Sequence, residues 1–247
     1  MFAIFRKEIS GFFSSLAGYI VIAVYLLVNS LFMWVFPGEW NIFDSGYAGL
    51  DTLFILSPWI FLFMVPAVTM RMFAEEKRLG TIELIFSRPV TERGIIWGKY
   101  LASVVLVLLA LLPGVIYYIS VYLLGEIPGN LDKGGTIGAC TGLFFLASVY
   151  AAAGIFASSL TDNQVVAFVI AVLLCFMLFM GFDSLAYLPG LNKLDEFIIG
   201  LGINEHYKSM SRGVLDIRDA AYFISVVAIL NESTRMVLLS RKWKKRS

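Results

Sequence analysis

A protein that runs a reaction needs groups that move protons, hold metals or attack carbonyls, and this chain is poor in them. His206 is its one histidine, and Cys140 and Cys175, each inside an apolar stretch, are its two cysteines. One histidine excludes a His-rich metal site and argues against a Ser-His-Asp arrangement, so His206 is expected on a surface loop. The cysteines form no CxxC and read as small buried residues. Gly94-Ile-Ile-Trp-Gly98-Lys99-Tyr100 imitates a phosphate-binding loop, but it is one residue short between its glycines and has Tyr where Ser or Thr must reach the metal. It also opens an apolar run. No catalytic, metal or cofactor residue is therefore assigned, and any ATP used must be bound by a partner.

The charged residues in unusual places are more informative. The stretch from Arg71 to Lys99 contains Glu75-Glu76-Lys77-Arg78-Leu79-Gly80-Thr81-Ile82-Glu83-Leu84-Ile85-Phe86 and, further on, Pro89-Val90-Thr91. Gly80 should separate two short helical pieces. Thr81 is placed to cap the second, with Glu83 in its positive first turn. Pro89 ends it, and Thr91 is placed to cap the next helix. Apolar and charged residues alternate so that an amphipathic element forms, able to dock into a groove on another protein; a solvated loop with ordinary caps fits the same residues. Near the C-terminus, Glu232 and Arg235 are three apart and can pair on one helix face. Charges within a span are costly and often functional, but Arg235 lies close enough to Arg241 to reach the membrane surface, and the structural role is preferred. Asn29, polar within an apolar run, is expected to pack or to bond across helices.

These residues sit on elements that only a membrane can accommodate. Of 247 residues 59% are hydrophobic and 15% charged, and mean hydropathy is +0.83; a soluble domain has about 25% charged residues. Six runs have the roughly 20 apolar residues needed to cross a bilayer: Leu16–Phe36, Leu50–Met70, Tyr100–Leu124, Ile137–Leu160, Val165–Phe182 and Ala220–Leu239, the last interrupted at Asn231–Arg235. The first is too long for a secretory signal and no A-x-A-like site follows it. Ahead of it, Phe2, Phe5, Ile9, Phe12, Phe13 and Leu16 recur at helical spacing opposite Arg6, Lys7, Ser10 and Ser14. Residues 1–15 are thus expected to form an amphipathic helix in the membrane interface, or else to extend the first span. The fold class is all-α: one membrane domain over 1–247, with six transmembrane helices after an interface helix. Gly134, Gly138 and Gly142, continued by Ala147, Ala151, Gly154 and Ser158, make the fourth span a small-residue surface for close packing, within the chain or at a dimer seam. Pro58, Pro66 and Pro113 should kink their spans, as transporters and inert helices both do.

Charge sets the orientation. Thirteen of the nineteen Lys and Arg fall before span 1, in 71–99 and after span 6, while five fall on the opposite side. Both termini and 71–99 are accordingly expected in the cytoplasm of a bacterial inner membrane, and 183–219 outside it. Apolar interfacial pieces are expected around Phe197, Ile198, Ile199 and Leu201.

The stretch carried by Glu75, Glu76, Gly80, Thr81, Glu83, Pro89, Val90, Gly98 and Lys99 resembles the ABC-2 family of ABC-transporter permeases, and the likeness extends over nearly the whole chain. It implies that Glu75, Glu76, Arg78, Gly80, Thr81, Glu83, Leu84, Pro89 and Val90 couple to an ABC ATPase subunit, which would hold ATP and Mg while this chain binds no cofactor. It further implies a second permease copy in a homodimer. Ser211-Arg212-Gly213-Val214-Leu215-Asp216, with Asp219, Tyr222 and Phe223, is similar to the gliding-motility branch, and so implies a membrane-anchored accessory protein with a periplasmic domain. The interrupted sixth span departs from the family's smoothly apolar one. Three functions stay open: an ATP-driven export permease, a mechanotransmission module that moves a periplasmic accessory protein and carries nothing itself, and an unrelated intramembrane enzyme or structural subunit. The partners expected are the bilayer and these proteins, not nucleic acid.

Overall fold

A computed structural model describes residues 1–87, 89–126, 131–186 and 198–244, without the side chains of Ala17 and of 241–244. Arg88, Phe197 and the last three residues of the basic tail lie outside the described residues. Every regular element among those described is a helix. Six are long and apolar enough to cross a membrane: Gly18–Val35, Asp51–Arg78, Glu92–Leu124, Lys133–Leu160, Gln164–Ala186 and Ile217–Ser240. Each coincides with one of the six runs read from hydropathy.

Helix α1 (Phe2–Phe13) is separated from α2 (Leu16–Ser30) by Ser14 and Ser15, with Ser15 in extended backbone and its hydroxyl turned back to Phe12 O. The N-terminal helix is therefore an element of its own and does not extend span 1. A π-helical turn, Leu31–Val35, completes that span. Short α3 (Ile42–Ser45) follows, capped by the Asn41 side chain. Span 2 is α4 (Asp51–Thr69), and it runs past the expected boundary into α5 (Arg71–Arg78), with one break at Met70. Gly80, at φ 69°, makes the turn into α6 (Ile82–Phe86).

Span 3 starts earlier than hydropathy indicates. Thr91 caps α7 (Glu92–Leu111) through Gly94 N, so the helix begins in polar sequence ahead of Tyr100. Pro113 then breaks it, and α8 (Gly114–Leu124) completes the crossing. The remaining spans are α9 (Lys133–Leu160), then α10 (Gln164–Phe176) with a π turn and α11 (Phe182–Ala186), and finally α13 (Ile217–Lys244). Helix α12 (Ile203–Ser211) lies between spans 5 and 6. The polar interruption at Asn231–Arg235 does not end span 6, because α13 stays helical throughout.

Span 4 is the hub. Within its most apolar stretch 78% of residues are buried, against 22–33% for spans 1, 3, 5 and 6. Its small residues make this possible. A Cβ on Gly154 would meet Thr69 Oγ1 at 1.9 Å, and one on Gly138 would meet Gly213 Cα and Met210 O at 2.6 Å. The glycine face therefore packs inside the chain, on span 2 at one end and on α12 at the other. Helix α1, α5 and the start of α7 gather at one end of the bundle with Lys7, Arg71, Lys77 and Arg93, which we call the basic end.

Candidate functional site

The expected segment divides into an outward tip and an inward root. At the tip, Arg78, Gly80, Glu83 and Pro89 are exposed, and Leu79 and Leu84 are 62% and 66% exposed. Two large aliphatic side chains held in the open beside charged ones form an amphipathic knob. Thr81 occupies the N-cap position of α6, but its side chain does not cap. The hydroxyl instead turns back to Glu76 O at 3.4 Å. With the Gly80 turn already fixing the backbone, α6 forms without that bond. Glu75 and Thr81 are half-buried, as is Val90.

The root is a charge cluster. Lys99, 1% exposed at its side chain, reaches Glu8 Oε1 at 2.6 Å, Glu76 Oε1 at 2.8 Å and Met72 O at 2.6 Å. Three acceptors use all three ammonium protons. Lys7 donates to the same Glu76 oxygen at 2.7 Å, and the Lys99 ammonium stands 5.1 Å from the centre of the Phe73 ring. Two cations and two carboxylates thus balance within one knot that joins α1, α5 and α7. Burial lowers the Lys7 pKa, but the hydrogen bond and attraction of Glu76, with Glu8 and Glu75 behind them, outweigh it and hold the ammonium above the usual lysine range. Gly98 permits the crossing, since a Cβ there would lie 3.0 Å from Met1 O.

A second fastening holds the break at Met70. Phe73 N and Ala74 N lie at the start of α5, where backbone donors lack helical acceptors. Both donate to Ser158 Oγ, at 2.9 and 3.0 Å, and that hydroxyl donates to Met70 O at 2.8 Å. Lys77 Nζ donates to Ser159 O one residue on. Arg71 reaches Ser15 Oγ and lies over the Phe12 ring. The tip is consequently the end of a lever whose root is tied to spans 2, 3 and 4 and to α1.

The other polar positions turn out to be structural. Glu232 pairs with Arg235 and, across helices, with Arg93, each at 3.0 Å, which places it at the basic end of the bundle. Asn29 bonds back to Tyr25 O on its own helix, while the bonds between helices come from its neighbours: Tyr25 with Ser57, and Ser30 with Tyr117. His206 is not on an open loop. It sits in α12, with Nδ1 2.7 Å from Asp219 Oδ1, Nε2 2.9 Å from Gly200 O, and its ring stacked on Tyr222. Gly213, at φ 84° and against Gly134 and Gly135, makes the turn after α12. Among the described residues there is no group of three or more His, Cys, Asp or Glu that could hold a metal.

A family model described as ABC-2 family transporter protein matches residues 3–236. The chain belongs to the ABC-2 transporter family. As an ABC-2 protein it is a multi-pass membrane protein, the permease component of an ABC transporter, and that implies an ATPase partner. No curated protein matches the chain. Sequence reasoning missed Lys7, Glu8, Lys99 and Ser158 as members of this ABC-2 chain's joint. Lys99 was detectable as a lone charge at the edge of an apolar run, whereas Glu8 follows Arg6 and Lys7 and does not stand out. Ser158 read only as a small residue, and its role depends on the break in a helix distant in sequence.

Proposed function

We propose that this chain is the permease subunit of an ATP-driven exporter in a bacterial inner membrane, and that the tip from Arg78 to Val90 receives the motion of an ABC ATPase. The observation that carries this reading is the exposed Leu79–Leu84 knob on a continuation of span 2 that is tied to three spans. A binding knob on a floppy loop would transmit nothing. One whose root is locked by Lys99 and Ser158 turns a push on the tip into a displacement of span 2 against spans 3 and 4, a rearrangement of packed elements with two arrangements. The two-helix form around Gly80 supports the coupling role of Glu75, Glu76, Arg78, Gly80, Thr81, Glu83, Leu84, Pro89 and Val90: some form the knob, and the rest form its root.

The basic end faces the cytoplasm in this reading, because Lys and Arg accumulate there. Helix α1 then lies in the cytoplasmic interface, and both termini are cytoplasmic. ATP and Mg belong to the partner, and a second permease copy completes a pair of spans around the path. The segment Ser211–Asp216 with Asp219, Tyr222 and Phe223 supports assignment to the gliding-motility branch, with a periplasmic accessory protein on the opposite face.

The test is affinity purification of the full chain from its native membrane. A co-purifying ABC ATPase that is lost with Leu84→Asp, in a variant still inserted and monodisperse, is expected. Unchanged co-purification in that variant would remove the assignment of the tip.

A further inference from the structure

We propose that the crevice beside the Pro113 break binds the aliphatic chain of a membrane amphiphile. The crevice has a volume of about 590 Å³ and lies between spans 1 to 4, within the range of pockets that hold drug-sized ligands, about 300–1,000 Å³. Its rim is formed by Leu108, Leu112 and Val115, which are 36%, 60% and 54% exposed on the outer surface of span 3. Its floor reaches Tyr25, Leu53 and Leu143, which are 0%, 5% and 1% exposed. The crevice therefore closes against the buried core of the bundle, with walls contributed by four spans.

The break explains why the space exists. Pro113 has no N–H to return to Leu109 O, and Val115 and Ile116 bond three residues back, to Leu112 O and Pro113 O. The chain there is tighter than an α-helix, and this turn separates α7 from α8. Gly114 brings no side chain to fill the gap, and a Cβ on it would meet nothing within 4 Å.

Chemistry selects the occupant. No charged side chain lines the space, and its polar groups are confined to Tyr25, Tyr118, Thr136 and Cys140. The Tyr25 hydroxyl is already bonded to Ser57. Water does not settle in an apolar cavity without several polar partners, and leaving the space empty forfeits the dispersion contacts of its lining. Because the mouth opens on the lipid-facing side of a span, the molecule that reaches it comes from within the hydrocarbon. An alkyl chain satisfies all three conditions, with its headgroup toward the end of the bundle that carries Lys133 at the start of α9. This site stands independently of coupling to an ATPase.

The test uses the full chain in nanodiscs doped with phosphatidylglycerol carrying a diazirine in its acyl chain, with adducts mapped by peptide mass spectrometry. Adducts on the crevice residues are expected at several-fold the density at Ile229, which is 65% exposed on span 6. Val115→Trp and, independently, Cys140→Phe should lower the crevice adducts several-fold and leave those at Ile229 unchanged, so a folding failure in one variant leaves the other as the test. Uniform labelling of lipid-facing positions overturns the proposal, as does crevice labelling that persists in both variants. An unlabelled crevice cross-linked to a second copy of the chain also overturns it.

Discussion

At the scale of single residues, the strongest constraint is Lys99. Removing one partner from a buried ion pair costs about 3–5 kcal/mol, because it leaves the remaining charge without compensation. Lys99→Met leaves Glu8 and Glu76 with only the 60%-exposed Lys7, 3.8 Å from the one and 2.7 Å from the other. A fall in the thermal midpoint of the detergent-purified protein should follow, read by fluorescence-detected size exclusion, with Lys7→Met costing far less, since exposed pairs contribute about 0–1 kcal/mol. Equal losses in the two variants would refute the central place given to Lys99. The Lys7 contribution has a defined sign with pH. Its pKa is raised by folding, so the contribution is fully present below the ordinary lysine value of 10.5 and disappears only as pH climbs through the higher folded value. Lys7→Met should therefore leave the pH dependence of stability between pH 6 and 9 unchanged. Ser158→Ala strands two backbone donors at the head of α5, each costing roughly 1–3 kcal/mol, and hydrogen exchange at Phe73 and Ala74 should rise before the bundle as a whole loosens. Protection equal to wild type at those amides would contradict the role given to the hydroxyl.

At the scale of elements, span 4 dictates how closely its neighbours approach. Gly138→Ala pushes a methyl into backbone, Gly213 Cα and Met210 O, which cannot rotate away. Helix α12 must shift, and Tyr207, whose hydroxyl donates to Phe54 O across the bundle, moves with it. We expect Gly138→Ala to raise proteolysis around α12, while Gly134→Ala, which meets only a capping carboxylate at 3.4 Å, has little effect. Much of this level was legible in the sequence. Hydropathy located all six spans, Gly80 the turn, Thr91 and Pro113 the limits of α7, and the four-residue glycine spacing the tight face of span 4. Other parts were not legible, for identifiable reasons. Hydropathy sees where apolar sequence stops, not where a helix stops, so the continuation of span 2 into α5 was hidden, and the early start of α7 showed only in its Thr91 cap. Thr81 looked like a cap because position was the only guide. The Glu8–Glu76–Lys99 knot joins residues up to 91 positions apart, and no local spacing announces it.

For the whole molecule, the basic end and the end carrying α12 must face opposite sides of the membrane if the coupling account holds. With Cys140 and Cys175 replaced by Ser, a membrane-impermeant maleimide added to intact spheroplasts should label Glu205→Cys and spare Ser87→Cys. The reverse pattern would invert the topology. The most direct test of the central claim is the ATPase activity of the reconstituted complex between this chain and the ATPase that co-purifies with it. Leu84→Asp and Glu83→Lys should bring the complex down to the rate of the ATPase alone, while both variants insert and remain monodisperse. Full permease-stimulated activity in both variants would contradict the account.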